Sequence, residues 1–117
     1  KKLVDNLNTD EEILAWQIIK SYKGVNDEGF ELFDLMIKLI EDAYPTENIF
    51  EHKDTILQIS AINIDEKTDV GFYEVHFSFQ TYNDSKEYVW KVNILTEEIS
   101  PVNNEARQML NNVDYYD

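Results

Sequence analysis

The chain has 117 residues, of which 24 are acidic and 10 basic, so its net charge is −14. This length is typical of one domain with one core, and a hydrophobic content of 43% argues against disorder. The acidic excess disfavours a nucleic-acid-binding protein, which needs a basic surface to meet phosphate, and the absence of cysteine excludes disulfides and thiolate chemistry.

The ends of the sequence bear on its cellular setting. The chain begins Lys1-Lys2 without a methionine, which favours an excised or processed part of a longer protein, and residues 1–117 are expected to form a single domain. Because no apolar run approaches the roughly 18 residues of a membrane helix, we expect no direct membrane insertion by this segment. We expect the targeting signal that determines the cellular location to lie upstream of Lys1.

A first helix is predicted to start at Thr9, because Thr9-Asp10-Glu11-Glu12 has the form of a capping box. Gly24 is its predicted stop. Trp16 and Ile13 lie off the apolar stripe of this helix, so they either pack on a second element or contact something outside this segment, and we favour packing. The stripe consists of Leu14, Ala15, Ile18, Ile19 and Tyr22.

A second helix is predicted from near Asn26 to a point before Pro45, which disfavours helical geometry at the residue preceding it. Its apolar arc is wide, so we expect a central helix that touches both the first helix and the sheet. The main stripe contains Phe30, Phe33, Ile37, Ile40 and Tyr44, and Leu32, Leu35, Met36 and Leu39 widen it.

Residues 55–64 are predicted to form a strand. The apolar parity switches from Leu57, Ile59 and Ala61 to Ile62 and Ile64, and a bulge near Ala61 would explain the switch. Residues 65–69 are the predicted connecting turn.

Residues 72–95 predict a hairpin, because apolar and polar residues alternate along both arms. A four-residue loop at 83–86 would set Phe79 opposite Trp90 and Phe77 opposite Val92, with all four on one buried face. After the hairpin we expect a short edge strand at Ile99 that ends at Pro101.

The last predicted element is a helix capped by Asn103 or Asn104, with Ala106, Met109, Leu110 and Val113 on its buried face. The predicted fold is therefore α+β. Two N-terminal helices pack on a three- to four-stranded antiparallel meander, and a C-terminal helix follows.

The polar parity of the hairpin is the candidate site. His76 lies beside Glu74 and Ser78, and Ser78 would pair with Lys91, which is a set of groups that resembles a catalytic one. Alternate residues on a strand are about 7 Å apart on a flat surface, so we expect a partner-binding face rather than catalysis. The predicted face consists of His76, Ser78, Gln80, Val89, Lys91 and Asn93. No catalytic, cofactor or metal residue is predicted, since His52 and His76 lack metal-ligand spacing.

Two segments of the strand region resemble a known family. The sequence YEVHF at residues 73–77 and the segment KEYVWKVNILTEEISPV at 86–102 resemble the PepSY domain, with the likeness covering about residues 56–102. Thr96, Glu98 and Ile99 match its TGE-type ending, whereas Glu97 replaces the usual glycine and Asn93 the usual aspartate. A cystatin-like or NTF2-like small domain is a related possibility.

The resemblance implies a non-catalytic binding or regulatory domain outside the bacterial membrane, in a secreted protein or lipoprotein, with a protein as its partner. It carries over no catalytic residue. The alternative is a cytoplasmic acidic inhibitor of the immunity, antirestriction or DNA-mimic type that binds a basic protein surface. A third hypothesis is a small NTF2-like hydrolase or ligand carrier with a polar pocket. None of these patterns specifies the oligomeric state.

Overall fold

The computed structural model describes residues 3–117, within which three α-helices pack on one mixed five-stranded sheet. The predicted α+β class is confirmed. Lys1 and Lys2, from which a longer parent chain was inferred, lie outside the described residues. The elements in chain order are β1 (Leu3–Asp5), α1 (Asp10–Lys20), α2 (Leu32–Asp42), a 3-10 turn (Ile49–Glu51), β2 (Ile56–Asn63), β3 (Phe72–Gln80), β4 (Ser85–Asn93), β5 (Ile99–Pro101) and α3 (Asn104–Tyr116).

The strands lie side by side in sequence order. Strands β2 to β5 form the predicted antiparallel meander. Strand β1 was not predicted, and it pairs parallel with β2, with Leu3 beside Leu57 and Asp5 beside Ile59. Parallel neighbours need a crossover connection, which α1 and α2 supply. The sheet is therefore five-stranded and partly parallel, not the smaller antiparallel sheet that we predicted.

The hairpin of β3 and β4 has the predicted buried face but a different register. Val75 lies opposite Trp90 and Phe77 opposite Tyr88, so the predicted pairing of Phe77 with Val92 is wrong by four residues. The loop is 81–84, because the Thr81 N–H donates to the Asp84 carbonyl at 2.8 Å and the Thr81 hydroxyl accepts from the Asp84 N–H at 3.1 Å. A shift by an even number of residues keeps every side chain on its face.

The bulge predicted near Ala61 is absent from the described strand β2. The pairing of β2 with β3 runs without interruption from Ile56 and Gln80 to Asn63 and Tyr73. Ala61 therefore stays in the core, and Ile62 points away from it with 55% of its surface exposed.

The core lies between the helices and one face of the sheet, where the buried side chains form one cluster. Trp16 packs on this face, with its ring stacked 6.1 Å from that of Phe77 and edge-on to Phe33 at 5.3 Å. The capping of α1 by Thr9 is confirmed, since its hydroxyl accepts from the Glu12 N–H. Leu14, however, is exposed, because Ala15, Trp16 and Ile19 form the buried stripe instead.

Helix α2 begins at Leu32, six residues later than predicted. The preceding loop is folded on itself: Gly24 and Asp27 have φ angles of 102° and 59°, and the Leu32 N–H donates to the Tyr22 carbonyl at 2.8 Å. These left-handed residues do not fit a helix. Helix α2 lies against α1 and α3, and Phe33 reaches the sheet at 5.6 Å from the Phe77 ring.

The C-terminal part follows the prediction closely. Strand β5 ends at Pro101, and Asn103 caps α3 by accepting from the Ala106 N–H at 3.0 Å. On the predicted helix face, Ala106, Met109 and Val113 are buried and Leu110 is partly buried. The turn between β4 and β5 holds Glu97 at a φ of 64°. Within residues 3–117, no helix combines the length and apolar character that crossing a membrane requires.

Candidate functional site

The three helices all pack on the sheet face that carries Phe77 and Trp90, so no described helix covers the opposite face. We call this second face the outer face. Because side chains alternate along a strand, its residues follow from the register. They are Val4, Ile56, Gln58, Ser60, Ile62, Phe72, Glu74, His76, Ser78, Gln80, Ser85, Glu87, Val89, Lys91, Asn93 and Ser100.

His76 lies near the centre of the outer face between two carboxylates. Its Nε2 is 2.8 Å from Glu74 Oε1, and its Nδ1 is 3.4 Å from Glu87 Oε2. A neutral imidazole donates to one of these carboxylates, whereas an imidazolium donates to both. Both ring nitrogens thus face carboxylates rather than the Ser78 hydroxyl.

Ser78 and Gln80 line a depression of about 380 Å³ beside the β3–β4 loop. Ser78 lies between Gln58 and Glu87 on the neighbouring strands, and not opposite Lys91 as predicted. Amide, hydroxyl and carboxylate groups thus surround the half-exposed side chain of Ile56. Such a surface offers hydrogen bonds to polar groups of a partner around a small apolar centre.

Lys91 lies at the other end of the outer face. It pairs with Glu74 and Ser100 across the strands, and its Nζ is 4.5 Å from the centre of the Phe72 ring. This distance is typical of a cation–π contact. Ile62, on the far side of Glu74, adds exposed apolar surface to the same region.

Two residues of the predicted face are buried. Val89 is held at the sheet by backbone bonds, since its N–H donates to Asn103 Oδ1 and its carbonyl accepts from the Val102 N–H. Asn93 stabilises the β4–β5 turn: its Oδ1 accepts from the N–H groups of Leu95 and Thr96, and its Nδ2 donates to the Val70 carbonyl. The outer face therefore brings together His76, Ser78, Gln80 and Lys91, but Asn93 has a structural role.

Sequence reasoning missed the contribution of β1 and β2 to this face. Gln58, Ser60 and Ile62 extend it beside β3, and Val4 continues it onto β1. The alternation of residues 56–62 contains the signal, but the apolar Ile62 on the polar parity predicts a bulge there instead of a continuous strand. A three-residue strand such as β1 has no periodic signal.

The outer face carries few charges. Its register places two carboxylates there, those of Glu74 and Glu87, and one ammonium group, that of Lys91. The acidic excess of the chain is therefore on the loops and the helical side. Within the described part of the chain, no group of three or more histidine and acidic side chains is arranged to hold a metal ion.

No model of a known protein family, no curated protein and no solved structure matches this chain. The hypothesis for its function therefore depends on the surface described above.

Proposed function

We propose that this chain is a non-catalytic protein-binding module that recognises its partner with the outer face. The observation that carries the proposal is a sheet with one face packed under three helices and the other uncovered by any described helix. Exposed apolar side chains, among them Ile56 and Ile62, are interspersed there with His76, Ser78 and Lys91. A mixture of apolar and hydrogen-bonding groups is typical of protein interfaces.

The charge balance of the outer face indicates how the partner is recognised. Because the outer face carries only two carboxylates and one ammonium group, shape, apolar contact and hydrogen bonds dominate over long-range attraction. Binding at this face should therefore depend weakly on salt. The cytoplasmic acidic inhibitor, our second candidate, would instead lose affinity steeply as salt screens its charge.

We further propose an extracytoplasmic regulatory domain of a bacterial secreted protein or lipoprotein. This proposal rests on the resemblance of residues 73–77 and 86–102 to PepSY domains. Glu97, which stands where those domains have glycine, has a backbone conformation that favours glycine.

The proposed function is tested by photo-cross-linking in the native host. A photo-reactive amino acid is placed at Ser78, and a matched one at Gln17, which is exposed on α1 of the helical side. We expect a cross-linked protein from position 78 that is absent from position 17. The product is identified by mass spectrometry, expressed and used for affinity measurements.

Two substitutions then test the face itself. Ser78→Trp fills the depression and Lys91→Glu reverses a charge, so each should weaken binding by about tenfold, the effect of 1.4 kcal/mol. Asn111→Trp on the exposed side of α3 is the control. Unchanged affinity for both outer-face variants would refute the assignment, and a steep loss of affinity between about 0.05 and 0.5 M salt would favour the acidic inhibitor.

A further inference from the structure

A second surface, on the helical side, has an apolar floor. Two adjoining depressions of about 380 and 220 Å³ run along α2 toward α3, and Leu39 lines both. We call them together the α2–α3 groove. Large apolar side chains are exposed in it: Phe30 by 57%, Leu39 by 39% and Tyr116 by 54%.

The aromatic wall of the groove is held in place from both sides. The rings of Phe30 and Tyr116 meet edge-to-face at 5.6 Å. One residue beyond Tyr116, the Asp117 carboxylate accepts from the N–H groups of Asn26 at 2.6 Å and Glu28 at 2.9 Å. Two residues before it, Asp114 accepts from the Tyr22 hydroxyl at 2.7 Å. The exposed wall is therefore preorganised, which lowers the entropic cost of binding.

The rim of the α2–α3 groove is acidic. The rim has four carboxylates and only two ammonium groups. The carboxylates are those of Asp34, Asp42, Asp84 and Glu105, and the ammonium groups are those of Lys38 and Lys86. Lys38 is already paired with Asp42 at 3.7 Å. Together with a net charge of −14, this rim attracts cationic groups and repels acidic ones.

From this floor and rim we infer that the α2–α3 groove docks a basic amphipathic helix of a partner protein. The apolar stripe of that helix would cover Leu39 and the Phe30–Tyr116 wall, and its lysines or arginines would face Asp34 and Asp42. Helix α2 has 11 residues and is thus about 16 Å long, which matches about three turns of a docked helix. The α2–α3 groove lies on the helical side and shares Phe79 and Lys86 with the outer-face depression. The inference rests on Phe30, Leu39 and Tyr116, none of which carries the proposed function.

The test uses a labelled synthetic peptide of about 14 leucine and lysine residues at amphipathic helical spacing. Its control is a scrambled peptide of the same composition, which has the same charge but no apolar stripe. Binding to the whole chain is followed by fluorescence anisotropy. We expect the scrambled peptide to bind at least about tenfold more weakly, since only the stripe covers the floor.

Variants locate the binding surface. Leu39→Asp should weaken binding by about tenfold. Ile62→Asp, which changes an exposed apolar residue of the outer face, should change binding less than about twofold. If Leu39→Asp fails to fold, amide chemical-shift mapping of the unmodified protein replaces it. Shifts are then expected at residues 34–42 and at Tyr116.

Four results would overturn the inference: no binding of the amphipathic peptide, equal binding of the scrambled peptide, equal effects of the two variants, or shifts confined to β3 and β4. Equal binding of the scrambled peptide would show that only the net charge attracts it. Ser78 and Lys91 are unchanged in all of these experiments. Failure of this inference would therefore not count against the proposed function, which the cross-linking and the Ser78 and Lys91 variants test separately.

Discussion

Asn103 joins the edge of β4 at Val89 to the start of α3. Its Oδ1 accepts from the Val89 N–H at 3.1 Å and from the Ala106 N–H at 3.0 Å, while its Nδ2 donates to the Glu87 carbonyl at 2.8 Å. One amide side chain thus satisfies three backbone groups. It also continues the edge of β4 beyond the short strand β5, where a free edge would invite pairing with another chain.

Replacing this amide should be unusually costly. Asn103→Ala is expected to lower the free energy of unfolding by about 2–3 kcal/mol. The substitution removes the cap of α3 and also the hydrogen bonds to the Val89 N–H and the Glu87 carbonyl of β4. Thr9→Ala, which removes a cap alone, should cost about 1 kcal/mol. Urea unfolding measures both, with the exposed Asn104→Ala as control. A cost for Asn103→Ala no larger than for Thr9→Ala would contradict the double role.

The sequence predicts that Leu14 is buried and that Trp16 lies off the apolar stripe of α1, whereas the structure buries Trp16 and exposes Leu14. Trp16→Ala should destabilise the protein by about 3–5 kcal/mol, since Trp16 is buried against Phe33 and Phe77. Leu14→Ala should change the stability by less than about 0.5 kcal/mol, because Leu14 is exposed. Thermal and urea unfolding provide the measurement. Similar losses for both would place Leu14 in the core.

Glu97 is a site for stabilisation. Its φ of 64° is unfavourable for a residue with a Cβ, and glycine relieves this. After subtraction of the extra chain entropy of glycine, Glu97→Gly should raise the free energy of unfolding by about 0.5 kcal/mol. Glu98→Gly, one residue later and outside the left-handed region, should lower it by about as much. Equal losses from both substitutions would argue against the left-handed turn.

Tyr22 gives the protein a defined response to alkaline pH. Burial, the hydrogen bond to Asp114 and the charges of Asp114 and Asp117 raise the pKa of its phenol well above the ordinary value of 10.0. The unfolded phenol therefore ionises first, and the unfolded state binds fewer protons above pH 10. The contribution of Tyr22 to stability is fully present below pH 10 and is lost as the pH rises toward the raised pKa.

Tyr22→Phe should accordingly lower stability by about 1 kcal/mol at neutral pH, through the lost hydrogen bond, and should flatten the decline above pH 10. Urea unfolding at a series of pH values measures this. Tyr115→Phe removes a hydroxyl from a side chain that is 81% exposed and serves as control. A decline for Tyr22→Phe as steep as that of the unmodified protein would contradict the assignment.

Errors in the sequence-based fold have specific physical causes. The apolar Ile62 predicts a bulge, but an exposed apolar residue on the outer face is compatible with a regular strand. The hairpin register moved because Thr81 closes the loop with its own hydroxyl, a contact that alternation does not report. The candidate site inherited both errors, so Gln58 and Ile62 were missed and Ser78 was paired with Lys91.

The sequence alone determined what local patterns encode: the cap at Thr9, the buried parity of the hairpin, the edge strand ended by Pro101 and the face of α3. These depend on backbone geometry and on side-chain period, which neighbouring residues specify. Only the tertiary structure decided the parallel pairing of β1, the late start of α2, the burial of Asn93 and the sheet face left uncovered by the described helices. Each of these depends on contacts between residues distant in sequence, such as those of Asn93 with Val70 and of Asp117 with Asn26, and no local period encodes such contacts.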